Sequence, residues 1–365
     1  MTCQTRAVSQ TDFHPDQLRE YVLQVCAKLG SEPTEAGLVA DQLIRANLCG
    51  HDSHGIGMMP TYVDAVHGGR LFPNRHSSVA VDNGAVLVID GNRAFGQVTG
   101  FEATNLAIER AKETGVALMG LRDSFHIGRI GHWGEQCARA GMVSIHFVNV
   151  AGHMPLVAPY GGAQPRFTTN PICIAIPAGD GKPAALLDMA TSVIAMGKIR
   201  VAKNKGELVQ PGALLDGDGE LTEDPDAMFT PPGGAIVAFG DHKGSGLAIM
   251  CEILGAALTG GTTIAPKNER DGSALNSMLT IVIDPDALTS RDGLIAEAGA
   301  FLSYVKESTT RSGFEEVLVP GEPEQRSHDT RAQAVPVDGG TVGELRAAAD
   351  RAGLDESEIV SLLGS

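Results

Sequence analysis

The chain has 365 residues, 43% of them hydrophobic, and its 44 acidic and 28 basic residues give a formal charge of −16. That length and apolar content can bury a sizeable core, as one large domain or two smaller ones. No run of five or six lysines or arginines occurs, which argues against a polyanionic partner such as nucleic acid, whereas a small anionic substrate needs only one or two local cations.

In chain order, the spacing of Leu18, Tyr21, Val22, Val25 and Leu29 predicts a helix over Pro15–Leu29, stopped by Gly30. Ser31 reads as the cap of a second helix carrying Leu38, Val39, Leu43 and Ile44 up to Gly50. After His51–Gly57, a third amphipathic stretch (Met58, Met59, Tyr62, Val63, Val66) runs to Gly68-Gly69, so the first seventy residues form a helical unit broken by one polar loop. Short β-branched runs then alternate with helices. Strands are expected at Ala85–Ile89, Val116–Leu121, Val143–Val150, Ile172–Ile176, Ala184–Asp188, Ala235–Phe239 and Met278–Ile283, and helices at Phe101–Lys112, His132–Arg139 and Leu247–Leu258. The Gly- and Asp-rich stretch Asp216–Gly234 reads as loop. Helical patterning returns at Leu294–Lys306 and Thr341–Leu363, which places the C-terminus against the N-terminal helices.

Six cysteines (Cys3, Cys26, Cys49, Cys137, Cys173, Cys251) occur without a C-x-x-C pair, as expected of reduced cytosolic thiols rather than a zinc knuckle. Met1–Phe13 lacks the basic-then-apolar pattern of a signal peptide, and no stretch of 18 uncharged apolar residues exists. The expectation is a cytoplasmic protein with no membrane partner.

An α/β chain invites a search for the G-x-G-x-x-G turn that lets a pyrophosphate approach a helix N-terminus, and this chain has none. A G-x-x-x-x-G-K-[ST] loop is also absent. Any dinucleotide must therefore meet a different glycine-rich architecture, with backbone N–H groups and a nearby cation facing its phosphates. Three clusters could carry chemistry. The loop Gly50–Gly57 holds His51, Asp52, Ser53 and His54, and histidine is the side chain best poised to pass a proton near neutral pH. It could equally be a polar helix cap formed by Asp52 or Ser53; the three-residue spacing of His51 and His54 also admits a metal, but no further ligand stands at suitable spacing. The segment Asp123–His132 lies between a strand end and a helix start, where Arg129 could anchor a carboxylate or a phosphate. The segment Phe239–Gly246 offers glycines and Lys243 at a helix N-terminus, either a phosphate cradle or a turn that needs glycine for its geometry.

Taken together, Asp52-Ser53-His54-Gly55, Ser124-Phe125-His126-Ile127-Gly128, Thr169-Asn170-Pro171, Leu187–Ser192, His242-Lys243-Gly244 and Pro320-Gly321-Glu322 resemble, in order, the type 2 malate/L-lactate dehydrogenase family, the sulfolactate dehydrogenase-like oxidoreductases. Gly50–Met58, Arg93–Val98, His126–Gly131 and Met250–Gly255 look most like its hydroxycarboxylate dehydrogenase B branch. The resemblance implies a non-Rossmann α/β fold with a mixed-sheet NAD(P)-binding domain (residues 81–285) and a helical domain built from both termini (1–80 and 286–365). It further implies a homodimer that reduces 2-oxo acids to 2-hydroxy acids with NAD or NADP and without a metal. The alternative within the family is reduction of a cyclic imino acid such as a piperideine- or pyrroline-2-carboxylate. By carry-over, His54 donates the proton with Ser53 beside it, and His126 is the second candidate. Gly128, Asn170, Leu187, Asp188, Met189, Ala190, Thr191, Ser192, His242, Lys243, Gly244, Pro320, Gly321 and Glu322 are the implied cofactor contacts, with Lys198 a further member. Many relatives have an arginine where this chain has Met58, which makes Arg129 the candidate for gripping the substrate carboxylate.

Overall fold

The computed structural model describes residues 10–364; Cys3 and most of the Met1–Phe13 segment lie outside them. Strand β1 (Gln10–Phe13) leads into helices α1 (Pro15–Lys28) and α2 (Pro33–Leu48), both opened by a proline whose missing N–H and fixed φ suit a first helical turn. Ser31 does not cap α2 as its position suggested. Its N–H closes the end of α1 on the Cys26 carbonyl at 3.0 Å, so Glu32 takes the cap position. Helix α3 (Met59–His67) ends at Gly68 as expected.

The middle of the chain builds β2 (Ser78–Asn83), β3 (Val86–Asp90), α4 (Gly96–Thr114), β4 (Val116–Ser124), α5 (Gly131–Arg139), β5 (Val143–Ala151), β6 (Ile172–Pro177) and β7 (Pro183–Met189). Helix α6 (Met196–Lys205), the short strands β8 (Leu214–Leu215), β9 (Leu221–Thr222) and β10 (Ala235–Ile236), helix α7 (His242–Glu252) and strand β11 (Leu275–Ile283) follow. The last third holds α8 (Arg291–Lys306), α9 (Glu322–Arg331), β12 (Val335–Asp338), α10 (Gly339–Ala352) and α11 (Glu356–Leu363).

Several expectations are corrected. The strand over Ala235–Phe239 shrinks to two residues, and the helix expected from Leu247 starts at His242 and passes into a π-turn at Ile253–Ala257. The stretch from Thr341 is two helices, because Gly353 at φ +97° ends α10 in the left-handed conformation. Asp216–Gly234 is not all loop; it contains β9 and a 3-10 turn at Pro225–Met228.

Among the described residues the main sheet has the order β2-β3-β4-β11-β5-β6-β7. Only β3 and β4 run parallel, joined by the crossover helix α4; every other pair is antiparallel, so the sheet is mixed as expected. β11 enters the middle of the sheet between β4 and β5. Helices α4 and α5 bury their apolar faces on it around Trp133, and Gly100 permits the approach: a Cβ there would lie 2.5 Å from the indole ring. A second apolar core joins α1–α3 to α10 and α11, and β1 pairs with β12, so the two termini close on each other. A third packs the small β10-β8-β9 sheet with α6 and α7. No helix among the described residues is long and apolar enough to cross a membrane.

Candidate active site

Leaving α2, the chain turns through two 3-10 turns, Asp52–His54 and Ile56–Met58, before α3. The buried Asn47 side chain fixes this path: its Oδ1 accepts from the Ile56 N–H and its Nδ2 donates to Asp52, both at 2.7 Å. Arg331 of α9 donates to Asp52 and to the Asn47 carbonyl, also at 2.7 Å. Gly55 must lack a side chain here, since a Cβ would sit 2.2 Å from Asn47 Oδ1. Asp52 is thus a brace for the loop and does not cap α3.

This brace carries His54 to His126, which emerges after the end of β4. The Nδ1 of His54 and the Nε2 of His126 share a hydrogen bond of 3.0 Å, with the rings 9° from parallel. Behind His126, the hydroxyl of Tyr62 lies 2.7 Å from its Nδ1, and the Gln97 amide donates to Tyr62 Oη at 2.6 Å. The ordered line is His54, His126, Tyr62, Gln97. His54 lines an open cleft, whereas His126 is only 7% exposed. Burial lowers the His54 pKa to about 4, helped by the positive fields of His51 and Arg129, and pushes His126 well below its ordinary value. Both rings are therefore neutral near pH 7 in the free protein. Burial also raises the Tyr62 hydroxyl, which stays protonated.

The cleft has a volume of about 850 Å³, within the range of cofactor-sized pockets. Of the residues named from sequence, Ser53, His54, Gly128, Arg129, Asp188, Met189, Ala190, Ser192 and Lys198 line it. Gly128 takes φ +72°, and Gly128, Arg129 and Ile130 line the cleft. Gly197 packs on Ser53, where a Cβ would come within 2.8 Å of the serine Cβ, and this sets the first turn of α6 against the turn that carries His54. Lys198, Arg200 and Lys205 bring positive charge to this wall. A glycine-bearing loop, buried polar walls and clustered cations make a donor set that fits a dinucleotide with its two phosphates.

Other named residues sit elsewhere. Asn170 is buried, and its side chain is fully engaged: it donates to Glu252 at 2.8 Å and to the Ala248 carbonyl at 3.1 Å and accepts from Thr168 at 2.6 Å. Thr191 donates to the Thr169 carbonyl at 2.9 Å, holding the strand end behind the cleft. Leu187 precedes the lining residues on β7. His242 and Lys243 are exposed at the start of α7, next to a smaller hollow of about 310 Å³ that Asp241 lines. Gly244 is required by its turn, where a Cβ would meet the Phe239 carbonyl at 2.1 Å. Pro320 accepts from the Leu186 N–H, Gly321 packs on Leu186, and Glu322 pairs with Lys306; the next residues, Pro323 and Glu324, are the ones that reach the cleft.

Arg129 is placed differently from the sequence expectation. Its side chain is 2% exposed and forms ion pairs with Glu135 and, at 3.3 Å, with Asp188. Burial works against its charge, but the two carboxylates outweigh it and hold the guanidinium above its ordinary value; Glu135, opposed by burial, is brought down to about 2 by Arg129 and Arg45. Both terminal nitrogens are thus committed within the protein, so a substrate carboxylate would compete with two that are already present. Sequence reasoning missed Asn47, Tyr62, Gln97 and Glu135 as members of the site. Tyr62 sat in an apolar helical stripe indistinguishable from core, Gln97 stood in the Arg93–Val98 string with nothing to mark it as a site residue, and Asn47 and Glu135 carried no motif.

A family model described as malate/L-lactate dehydrogenase matches residues 13–346. The chain is 45% identical over 350 residues to hydroxycarboxylate dehydrogenase B of Escherichia coli strain K12, covering 95% of this chain and 96% of the relative. It is 40% identical over 296 residues to an L-lactate dehydrogenase of Cupriavidus necator, covering 81% and 84%. Among solved structures, the sulfolactate dehydrogenase of Methanocaldococcus jannaschii superposes with a TM-score of 0.82 at 32% identity, over 95% of this chain and 99% of that one.

Proposed function

Because the chain belongs to the malate/L-lactate dehydrogenase family, we propose that it interconverts 2-oxo acids and 2-hydroxy acids with NAD or NADP, and that His54 carries the proton. The observation that carries this reading is the imidazole of His54 on the wall of a cofactor-sized cleft, with its inner nitrogen committed to His126 and its outer nitrogen, Nε2, left for a ligand. When bound, the nicotinamide would give or take the hydride. Gly128, Arg129, Asp188, Met189, Ala190 and Ser192 would hold it, with Lys198, Arg200 and Lys205 facing its phosphates or the substrate carboxylate.

His54 has two tasks: to place a proton on the carbonyl oxygen as it becomes an alkoxide, and to stabilise the charge developing there. The carboxylate of the substrate is best received by the Lys198 side chain at the N-terminal end of α6, whose Gly197 packs on Ser53. Arg129 then serves to fix Asp188 and the 128–131 backbone, since Asp188 also accepts from the Gly131 N–H at 3.0 Å. Asn170, Leu187, Thr191 and Pro320–Glu322 support that cleft from behind, whereas His242, Lys243 and Gly244 stand beside the smaller hollow. We further assign residues 81–285 to the cofactor-binding domain and residues 1–80 and 286–365 to a helical one. Self-association as a homodimer belongs to the same reading: α8 buries none of its residues, leaving Phe301 and Tyr304 at 61% and 71% exposure.

The test is an initial-rate screen of phenylpyruvate, oxaloacetate, glyoxylate, pyruvate and a cyclic imino acid, each with NADH and NADPH. Turnover of a 2-oxo acid supports the reading. Turnover of the cyclic imine alone would transfer the proposal to C=N reduction, and turnover of none would reject it.

A further inference from the structure

Every hydrogen bond in the line behind His54 has a direction, and the directions are coupled. The Gln97 amide donates to Tyr62 Oη, which leaves the phenolic proton to be given to His126 Nδ1. His126 must then carry its own proton on Nε2 and give it to His54 Nδ1. His54 is left neutral, with its proton on Nε2, facing the cleft. In this arrangement its inner nitrogen cannot take a proton, because a donor already points at it. A ring that passes a proton to and from Nε2 needs the opposite arrangement: Nδ1–H donating to His126, His126 Nδ1–H donating to Tyr62, and Tyr62 O–H donating to a carbonyl oxygen. The Gln97 amide can supply that oxygen by a half-turn about its last torsion, since its Oε1 is buried with no partner. Each member of the line can reverse its role: the histidines by changing tautomer, Tyr62 by turning its O–H, and Gln97 by turning its amide.

We propose that Tyr62 and Gln97 are positioning residues that form a reversible hydrogen-bond switch and, through His126, decide whether the inner nitrogen of His54 accepts a proton or donates one. The inference rests on the reading of His54 as the proton carrier. In the first direction the free protein holds His54 as a neutral N–H donor. In the second, His54 cycles between imidazolium and neutral ring at Nε2 alone: the proton enters Nε2 from the open cleft, passes to the carbonyl oxygen while the hydride adds to carbon, and leaves Nδ1 unchanged. The two directions hold the same three protons on different atoms, so passing between them exchanges the His54 and His126 ring protons with water, while Tyr62 keeps its O–H in both.

Other charges also act on His54. His51 and Arg129 bear on it most directly, and Asp188 on β7 and Lys198 and Arg200 on α6 line the same cleft. Glu324 and Arg331 of α9 lie at its edge, and Cys26 lies near Tyr62. The switch is distinguished from these fields by the signs that two substitutions should give. Tyr62→Phe keeps the ring that packs edge-on against Phe95 and Phe125 but leaves the second direction with an orphaned buried N–H on His126. It should lower the midpoint of His54 protonation by about one pH unit and reduce kcat roughly tenfold in both reaction directions, with cofactor KM unchanged. As a carboxylate, the Gln97→Glu side chain only accepts, favours the second direction, and should raise the midpoint by about one pH unit or more.

The experiment is a proton NMR titration of the His54 Cε1–H resonance in the full-length protein, assigned by its loss in His54→Gln, for wild type, both single variants and the double variant. Opposite shifts in the single variants, with the upward shift abolished in the double variant, are the expected result. Shifts of the same sign, no shifts, or an upward shift that survives in the double variant and so acts through space, would overturn the proposal. Because the titration does not depend on turnover, it stands apart from a failure of the dehydrogenase reading, which the substrate screen would reveal.

Discussion

Changing pH through the neutral range is the perturbation that most directly exposes the state of His54. In the free protein burial, aided by His51 and Arg129, holds its pKa at about 4. A substrate carboxylate ~6 Å away, acting through an effective dielectric of ~20, favours the imidazolium by about 2.8 kcal/mol, a rise of about two pH units. The complex should then titrate near pH 6, by the same estimate. For 2-oxo acid reduction, kcat/KM reports the free protein and should fall about tenfold per unit across the whole range above pH ~5. The kcat profile reports the complex and should stay level to about pH 6 before it falls. The assay is spectrophotometric, following reduced cofactor at saturating and at limiting 2-oxo acid. A kcat/KM that stays level from about pH 5 to about pH 8 would refute a titrating imidazolium as the donor.

Three further outcomes follow from the packing around the cleft. Arg129→Ala removes the common partner of Glu135 and Asp188 and should destabilise the protein by about 3–5 kcal/mol in urea unfolding; unchanged stability with a raised substrate KM would restore Arg129 as the carboxylate anchor. His146 is fully buried between Ser144 and Thr280, and burial depresses its pKa to about 3. As the pH falls through the ordinary histidine value of about 6.5, the unfolded chain takes up a proton that the folded one refuses. His146 should therefore withdraw about 1.4 kcal/mol of stability per pH unit until about pH 3, a slope that His146→Gln reduces when unfolding is compared at two acid pH values. Gly55→Ala drives a methyl into Asn47 and should break its bond to the Ile56 N–H, destabilising by about 1–3 kcal/mol and lowering kcat; a variant with wild-type melting and turnover would show that the loop is not braced this way.

Much of the fold was legible because the residues that form it repeat at a detectable period. The β-branched runs from Val86 to Met189 and the apolar stripes of α1 to α3 each fell close to their observed bounds. What escaped had no such signature. β2 is exposed along its whole length, and α9, with the sequence EPEQRSHDTR, has no apolar stripe to betray it. The insertion of β11 between β4 and β5 depends on pairings between residues more than a hundred apart, which no local pattern encodes. The site shows the same division. His54 and His126 stood in glycine-flanked motifs and Asp188 in a recognisable one, but the partners that decide their chemistry, Tyr62 behind His126 and Glu135 beside Arg129, are ordinary residues made special by distance. Arg129 looked like a free cation in sequence because Glu135 and Asp188 reach it only through the fold.

The most direct measurement of the central claim pairs equilibrium titrations of NADH and NADPH against wild type and His54→Ala with the kcat of each protein on its best 2-oxo acid. The account predicts that at least one dinucleotide binds, that His54→Ala keeps its affinity within about twofold, and that kcat falls ~10²–10⁴-fold. No affinity for either dinucleotide, or turnover that survives the substitution, would contradict it.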